Sequence, residues 1–260
     1  MTNTPHADPA ARLCAALALG VASALGHAAT PPGRPDSMIQ APTQAQADTL
    51  SARQQAIVPI AAHAAAGDMP RLAEALDQGL DAGMAASDAR EILVQLYAYA
   101  GFPRSLNALG ELMKVTGARR QRGIQDAPGR EPSRPIPKGD ALLAAGTDNQ
   151  TRLSGAPVTG PLFDFAPVAN EYLRAHLFGD IFERDNLDWQ SREIATVSML
   201  SALQGVDSQL QSHMGISMNV GISAGQLTQL TQVLADRVGP EAATRARGAL
   251  SRQIAARAKR

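Results

Sequence analysis

Cysteine is nearly missing from this chain of 260 residues, in which Cys14 is the one thiol. A single thiol excludes an internal disulfide and any Cys-x-x-Cys redox or metal motif. Aromatic residues are scarce too, at 3%, so the apolar content rests largely on alanine. Neither sign of charge dominates: 24 Lys and Arg balance 24 Asp and Glu. No global field therefore recruits nucleic acid or an anionic membrane, and binding must come from local sites. The strongest apolar run, Leu13 to Leu25, is 13 residues long, short of the roughly 20 that span a bilayer. No segment alternates with period two, so a helical, all-α chain is expected.

The N-terminus reads as a secretory signal over 1–28: a polar start closed by Arg12, the Leu13–Leu25 run, and a small-x-small site at Gly26, His27 and Ala28. Export to the periplasm or medium is the expectation, without stable membrane insertion once the signal is cleaved. Cleavage would also remove Cys14, leaving a mature chain with no thiol. A Pro- and Gln-containing leader follows over 29–47.

Beyond it lies a weak internal duplication. At one offset of 138 positions, Gly67 falls on Gly205, Leu72 on Leu210, Leu80 on Met218, Gly83 on Gly221 and Gly101 on Gly239. Two helical units of one kind are implied. In the first, over 48–117, Ser51 and Gln54 form a capping-box pattern before an apolar run to Ala65, in which Pro59 must kink the helix or shift its start. A second helix is expected over 70–81, with Leu72, Ala75, Leu76 and Leu80 on one face. A third begins near Ser87 and shows Ile92, Leu93, Leu96 and Tyr97 on one face; Pro103 then restarts a helix to Val115. Residues 118–161 are rich in Gly, Pro and Arg and are expected to be an irregular linker, apolar only around Leu142 and Leu143. The second unit, over 162–243, should hold helices at 168–182, 189–203, 208–218 and 224–238. A basic tail over 244–260 carries Arg245, Arg247, Arg252, Arg257, Lys259 and Arg260, read as a solvated helix end.

The segment Glu91-Ile-Leu-Val-Gln-Leu-Tyr-Ala-Tyr-Ala-Gly-Phe-Pro-Arg-Ser-Leu-Asn-Ala-Leu109 resembles the signature helix of the carboxymuconolactone decarboxylase-like family, relatives of alkylhydroperoxidase D. A second match is His176-Leu-Phe-Gly-Asp-Ile-Phe-Glu-Arg-Asp185, with Arg192-Glu193 and Gln209-Leu-Gln-Ser-His213 beyond it. The resemblance implies an all-α fold of two tandem alkylhydroperoxidase D-like helical repeats, and a homo-oligomer, with a trimer as one candidate. Ala- and Gly-rich helices that bury little area each favour burial against partner chains on independent grounds.

The peroxidase branch uses a Glu, a Cys-x-x-Cys pair and a His. Here Glu193 and His213 match the outer members, but the cysteine positions fall near Val206 and Gln209, neither of which can supply a thiolate. Thiol peroxidase chemistry is therefore not expected. What the resemblance leaves is cofactor-independent acid-base chemistry, decarboxylation or isomerisation of a small lactone or carboxylic acid, with Glu193 and His213 as the proton-transfer pair. Glu193 shares a face with Val197 and Leu200, apolar surroundings that suit a proton donor. If 189–203 and 208–218 form an antiparallel hairpin around Gly205, the two side chains stagger by about four residues, roughly 6 Å along the axis. The competing view makes His213 a packed histidine and Glu193 a partner of Arg192 or a cap. In the first unit the equivalent positions are Gln55 and Ala75, which cannot exchange protons.

Arg104 and Asn107 stand one helical turn apart after the Gly-Phe-Pro break and could clamp a substrate carboxylate, with Tyr97 or Tyr99 orienting it. The structural alternative packs the tyrosines between helices and pairs Arg104 across an interface. His176 joins the substrate-binding candidates. With Asp180 and His213 it could also be drawn into a metal site, but an i, i+4 His/Asp pair is more often a surface hydrogen bond, so no metal and no cofactor is expected. His63, in an Ala-rich helix, should only pack. The alternative to an enzyme is a noncatalytic oligomeric binding or scaffold protein of the same fold.

Overall fold

The computed structural model describes residues 48–259; the expected signal, Cys14 and the leader lie outside the described residues, as does Arg260. Two buried helices form the centre. The first, α1 (Ala52–Ala66), starts at Ser51 with both halves of the capping box in place and runs unbroken through Pro59. Its residues from Ala56 to Ala65 are all buried. The second is Trp189–Ala202, buried from Ser191 to Ser201. Such all-round burial is what a helix without a polar face requires. The small alanines of α1 let the two axes approach closely, and this pair makes the most extensive helix-helix contact in the core. Polar residues are tolerated in the second helix because they bond backwards within it: Thr196 Oγ1 donates to the Arg192 carbonyl (2.9 Å), Ser198 Oγ to Ile194 (2.7 Å) and Ser201 Oγ to Val197 (2.7 Å).

Around α1 pack α2 (Met69–Asp81), α3 (Ala86–Gln95) and α5 (Phe102–Gln121), with the short α4 (Tyr97–Ala100) set against α5, α3 and the Trp189–Ala202 helix. Residues 140–154, expected as part of an irregular linker, form α6 (Asp140–Ser154). The short α7 (Pro161–Phe165) and α8 (Pro167–Tyr172) follow, and α8 continues into a π-helical segment, Leu173–Ile181. That segment packs along α6, where the Gly146 position leaves no room for a side chain, since a Cβ there would meet the Arg174 carbonyl oxygen at 1.8 Å. The buried second helix is α9; α10 (Asp207–Asn219), α11 (Ala224–Arg237) and α12 (Pro240–Arg257) complete the chain. No strand occurs among the described residues, so the fold is all-α, and no described helix is long and apolar enough to cross a membrane.

Helices α2, α3 and α5 begin at 69, 86 and 102, and α10, α11 and α12 at 207, 224 and 240, each 138 positions later. The turns before α2 and α10 use Gly67 and Gly205 in the left-handed region, at φ 79° and 77°.

The C-terminal stretch differs from the solvated tail expected of it. It forms α12, whose Ala242, Ala243, Ala246, Ala249 and Leu250 are buried against α11, α10 and α9. Its cations satisfy carbonyls elsewhere: Arg245 Nε donates to Ser201 (2.8 Å) and Arg257 Nη2 to Gly215 (2.9 Å). His63 is buried and bonds through Nε2 to the Arg237 carbonyl at the end of α11 (3.1 Å); burial pulls its pKa down, against that bond.

Candidate active site

Asp188 caps α9 by accepting from the Ser191 amide at 2.7 Å, fixing the register of the helix two residues before Glu193. The turn at Gly205 folds α10 back, and His213 Nδ1 lies 2.8 Å from Glu193 Oε2. The stagger is closed by the two side chains. Glu193 is fully buried and His213 nearly so. An Nδ1–H donor to the carboxylate leaves Nε2 as the basic nitrogen. Glu193 Oε1 and the Ser217 hydroxyl, one turn beyond His213, are buried without a protein hydrogen-bond partner.

The rings of Tyr99 on α4 and His213 meet in a T-shaped arrangement, with centroids 5.7 Å apart. Its phenol is pushed far above the ordinary range, first by burial and then by the Glu193 charge, with Thr196 opposing. Thus Tyr99 stays a neutral group beside the pair. Tyr97, two residues earlier, turns to a different histidine: its hydroxyl hydrogen-bonds His176 Nε2, and His176 Nδ1 meets Asp180 Oδ2 at 2.7 Å. The two tyrosines therefore serve two His-carboxylate pairs, one buried and one exposed.

The other sequence candidates go elsewhere. The Arg104 guanidinium donates to the Ala65 carbonyl at the end of α1, so it closes a helix terminus. Asn107 is exposed on α5. Arg192 pairs with Glu91 and leaves Glu193 to His213. No cluster of three or more His, Cys, Asp or Glu suited to a metal occurs among the described residues. Val206 and Gln209, the positions aligned with the peroxidase cysteines, stand at the cap and first turn of α10.

Sequence reasoning missed the network that joins the two halves. Glu91 on α3 is buried between two cations: Arg184 Nε and Nη2 reach its oxygens at 2.8 and 2.5 Å, and Arg192 Nη2 at 3.2 Å. Burial pushes the Glu91 carboxyl up, but hydrogen bonds from Arg184 and Asn186 and the Arg192 and Arg184 charges together hold it at about 2. Gln95, one turn on, donates from Nε2 to Thr196 Oγ1 (2.8 Å) and the Arg192 carbonyl (3.1 Å), and accepts from Arg192 Nη1 (3.2 Å). The signature segment thus grips the first turns of α9, where Glu193 sits. A buried-looking Glu91 beside Ile92 and Leu93 was the one available signal.

Two open pockets flank these elements. One, of about 500 Å³, is lined by Arg152, Trp189, Gln190 and Asn219–Gly221; the other, of about 430 Å³, by Arg53, Asp88, Arg130, Asn186 and Asp188 among others. Neither is lined by Glu193 or His213.

No curated protein matches the chain. Residues 167–252, which run from α8 into α12 and hold His176, Asp180, Glu193 and His213, match the model of the Carboxymuconolactone decarboxylase family, a match that supports this family and a carboxymuconolactone decarboxylase-like protein.

Proposed function

We propose that this chain is a cofactor-independent acid-base enzyme, of the lyase type, that decarboxylates or isomerises a small lactone or carboxylic acid. The observation that carries the reading is the buried Glu193–His213 pair at 2.8 Å. His213 Nε2 is the base that takes a proton from carbon beside the substrate carboxylate, and Glu193, rather than donating a proton as its apolar helix face suggested, accepts from His213 Nδ1, orients the ring and stabilises the imidazolium that forms. In an isomerisation the same nitrogen returns that proton at the new position; in a decarboxylation it starts protonated, the carbon–carboxylate bond breaks with loss of CO2, and Nε2–H delivers its proton to the carbon that held the carboxylate. Thiol peroxidase chemistry is set aside, because the chain holds a single cysteine, Cys14, and Val206 and Gln209 stand where the peroxidase cysteines would be.

The test is turnover of the purified protein on small lactones and β-keto or unsaturated acids. Glu193→Gln and His213→Ala should each lower turnover by roughly 10²- to 10⁴-fold. A wild type with no turnover, together with variants of unchanged assembly and stability, would move the assignment to a noncatalytic binding or scaffold protein. One observation favours that second reading: neither open pocket reaches the pair. Solvent access to His213 therefore separates the two, and diethyl pyrocarbonate should modify it in an enzyme.

The repeated helix starts support two helical repeats of one ancestry. We assign the assembly to a homo-oligomer, a trimer by resemblance, covering the apolar side chains that one chain leaves in solvent: Leu106 and Met113 on α5, and Leu162, Phe165 and Tyr172 on α7 and α8. Light scattering on the purified chain that returns a monomer would overturn this. Export is assigned from the sequence, and an intact N-terminus in protein recovered from its host would refute it.

A further inference from the structure

We propose that Tyr97, His176 and Asp180 form a nucleophilic relay, separate from Glu193 and His213, in which the Tyr97 hydroxyl accepts an acyl group from an activated ester. The geometry is that of a nucleophile, a base and an orienting acid. The Tyr97 hydroxyl hydrogen-bonds His176 Nε2, the rings lie 5.3 Å apart, and Asp180 Oδ2 holds His176 Nδ1 at 2.7 Å. With Nδ1–H donating to Asp180, Nε2 is the nitrogen that accepts the phenolic proton.

Three features of the surroundings fit this use. His176 and Asp180 sit on the π-helical segment 173–181, a conformation that is rare and concentrated at functional sites. That segment lies so close to α6 that a Cβ at Gly146 would meet the Arg174 carbonyl oxygen. The His176 and Asp180 side chains are 52% and 37% exposed, so a ligand can reach this relay, whereas the Glu193–His213 pair is buried. The Tyr97 ring stacks parallel on Phe102 at 4.5 Å, and Phe102 is 59% exposed, offering an apolar floor to an acyl or aryl group. The phenol is pushed up to about 12, by burial first and by Asp180 second. It is therefore neutral at pH 7 and depends on His176 to take its proton during attack.

In the step, Tyr97 Oη bonds to the ester carbonyl carbon while its proton passes to His176 Nε2. The carbon-oxygen bond to the leaving group then breaks, and the departing phenolate takes the proton from His176. The products are a Tyr97 ester and a free phenol. Water, deprotonated by His176, attacks the Tyr97 ester, and the proton returns to Tyr97 Oη. The substrate class is an ester with an apolar acyl part and a good leaving group.

The full chain would be incubated with p-nitrophenyl acetate, following nitrophenolate release and locating acetyl by peptide mass. Acetyl on Tyr97 is expected. Tyr97→Phe keeps the stacked ring and should remove both that label and its share of release, while His176→Gln slows acylation roughly 100-fold. Asp180→Asn should slow it about 10-fold, by loosening the ring orientation. Acetyl found only on lysines or on His176, release unchanged in Tyr97→Phe, or no acylation of the wild type would each overturn the proposal. Circular dichroism and assembly state of each variant show that any loss is not unfolding.

Discussion

Replacing Glu91 by Gln should cost more stability than any surface change in this protein, and the cost should depend on pH in one direction. The carboxylate is 1% exposed and neutralises Arg184 and Arg192, of which Arg192 is fully buried and has Nε without a partner. Removing the anion leaves uncompensated cations inside, a change worth roughly 3–5 kcal/mol. The titration gives a second route to the magnitude. The Glu91 carboxyl is held at about 2, against an ordinary 4.5, and at about 1.4 kcal/mol per pH unit that is about 3 kcal/mol. Because the folded value lies below the unfolded one, this stability is full above pH 4.5 and is lost as pH falls toward 2. Urea unfolding of both proteins at one fixed concentration, at pH 7 and pH 3, reads the effect. The gap between wild type and Glu91→Gln should shrink by about 2 kcal/mol at the lower pH. A gap under about 1 kcal/mol at pH 7, or one equal at both pH values, would refute the reasoning.

Gly146→Ala and Gly205→Ala should separate crowding from backbone strain. At Gly146 the new methyl meets a backbone carbonyl oxygen at 1.8 Å, so the π-helical segment must shift and unfolding by urea should show a loss of about 1–3 kcal/mol or more. At Gly205 nothing lies within 4 Å of the new methyl, and only the left-handed backbone resists, at about 1–2 kcal/mol. Equal costs with an undisturbed π segment would contradict this. Arg119 is buried under Asp77, Asp81 and Asp126, which it joins at 2.7, 2.8 and 2.9 Å. Arg119→Met should lower the thermal midpoint and release Asp77, whose carboxyl the Arg119 hydrogen bond draws down; a carboxyl carbon shift in NMR titration that does not move would reject the link.

Helix positions, the Ser51 capping box and the glycine turns were legible in the sequence because each depends on residues a few positions apart. The facing of Glu193 and His213 was legible for the same reason. They are 20 residues apart across one short turn, and the 1.5 Å rise per residue fixes the stagger that two side chains can close. The 15-residue α6 was hidden because its middle, Gly146 to Gln150, reads as polar linker; its burial comes from the π segment about 30 residues on. In α12 the arginines masked an alanine stripe that was present at helical spacing. Glu91 with Arg184 and Arg192, and Tyr97 with His176, lie 79 to 101 residues apart. Local spacing specifies a helix and its faces, but which faces meet is decided by how α1 and α9 bury each other. Only that packing brings the signature segment against α9 and sends two neighbouring tyrosines to two different histidines.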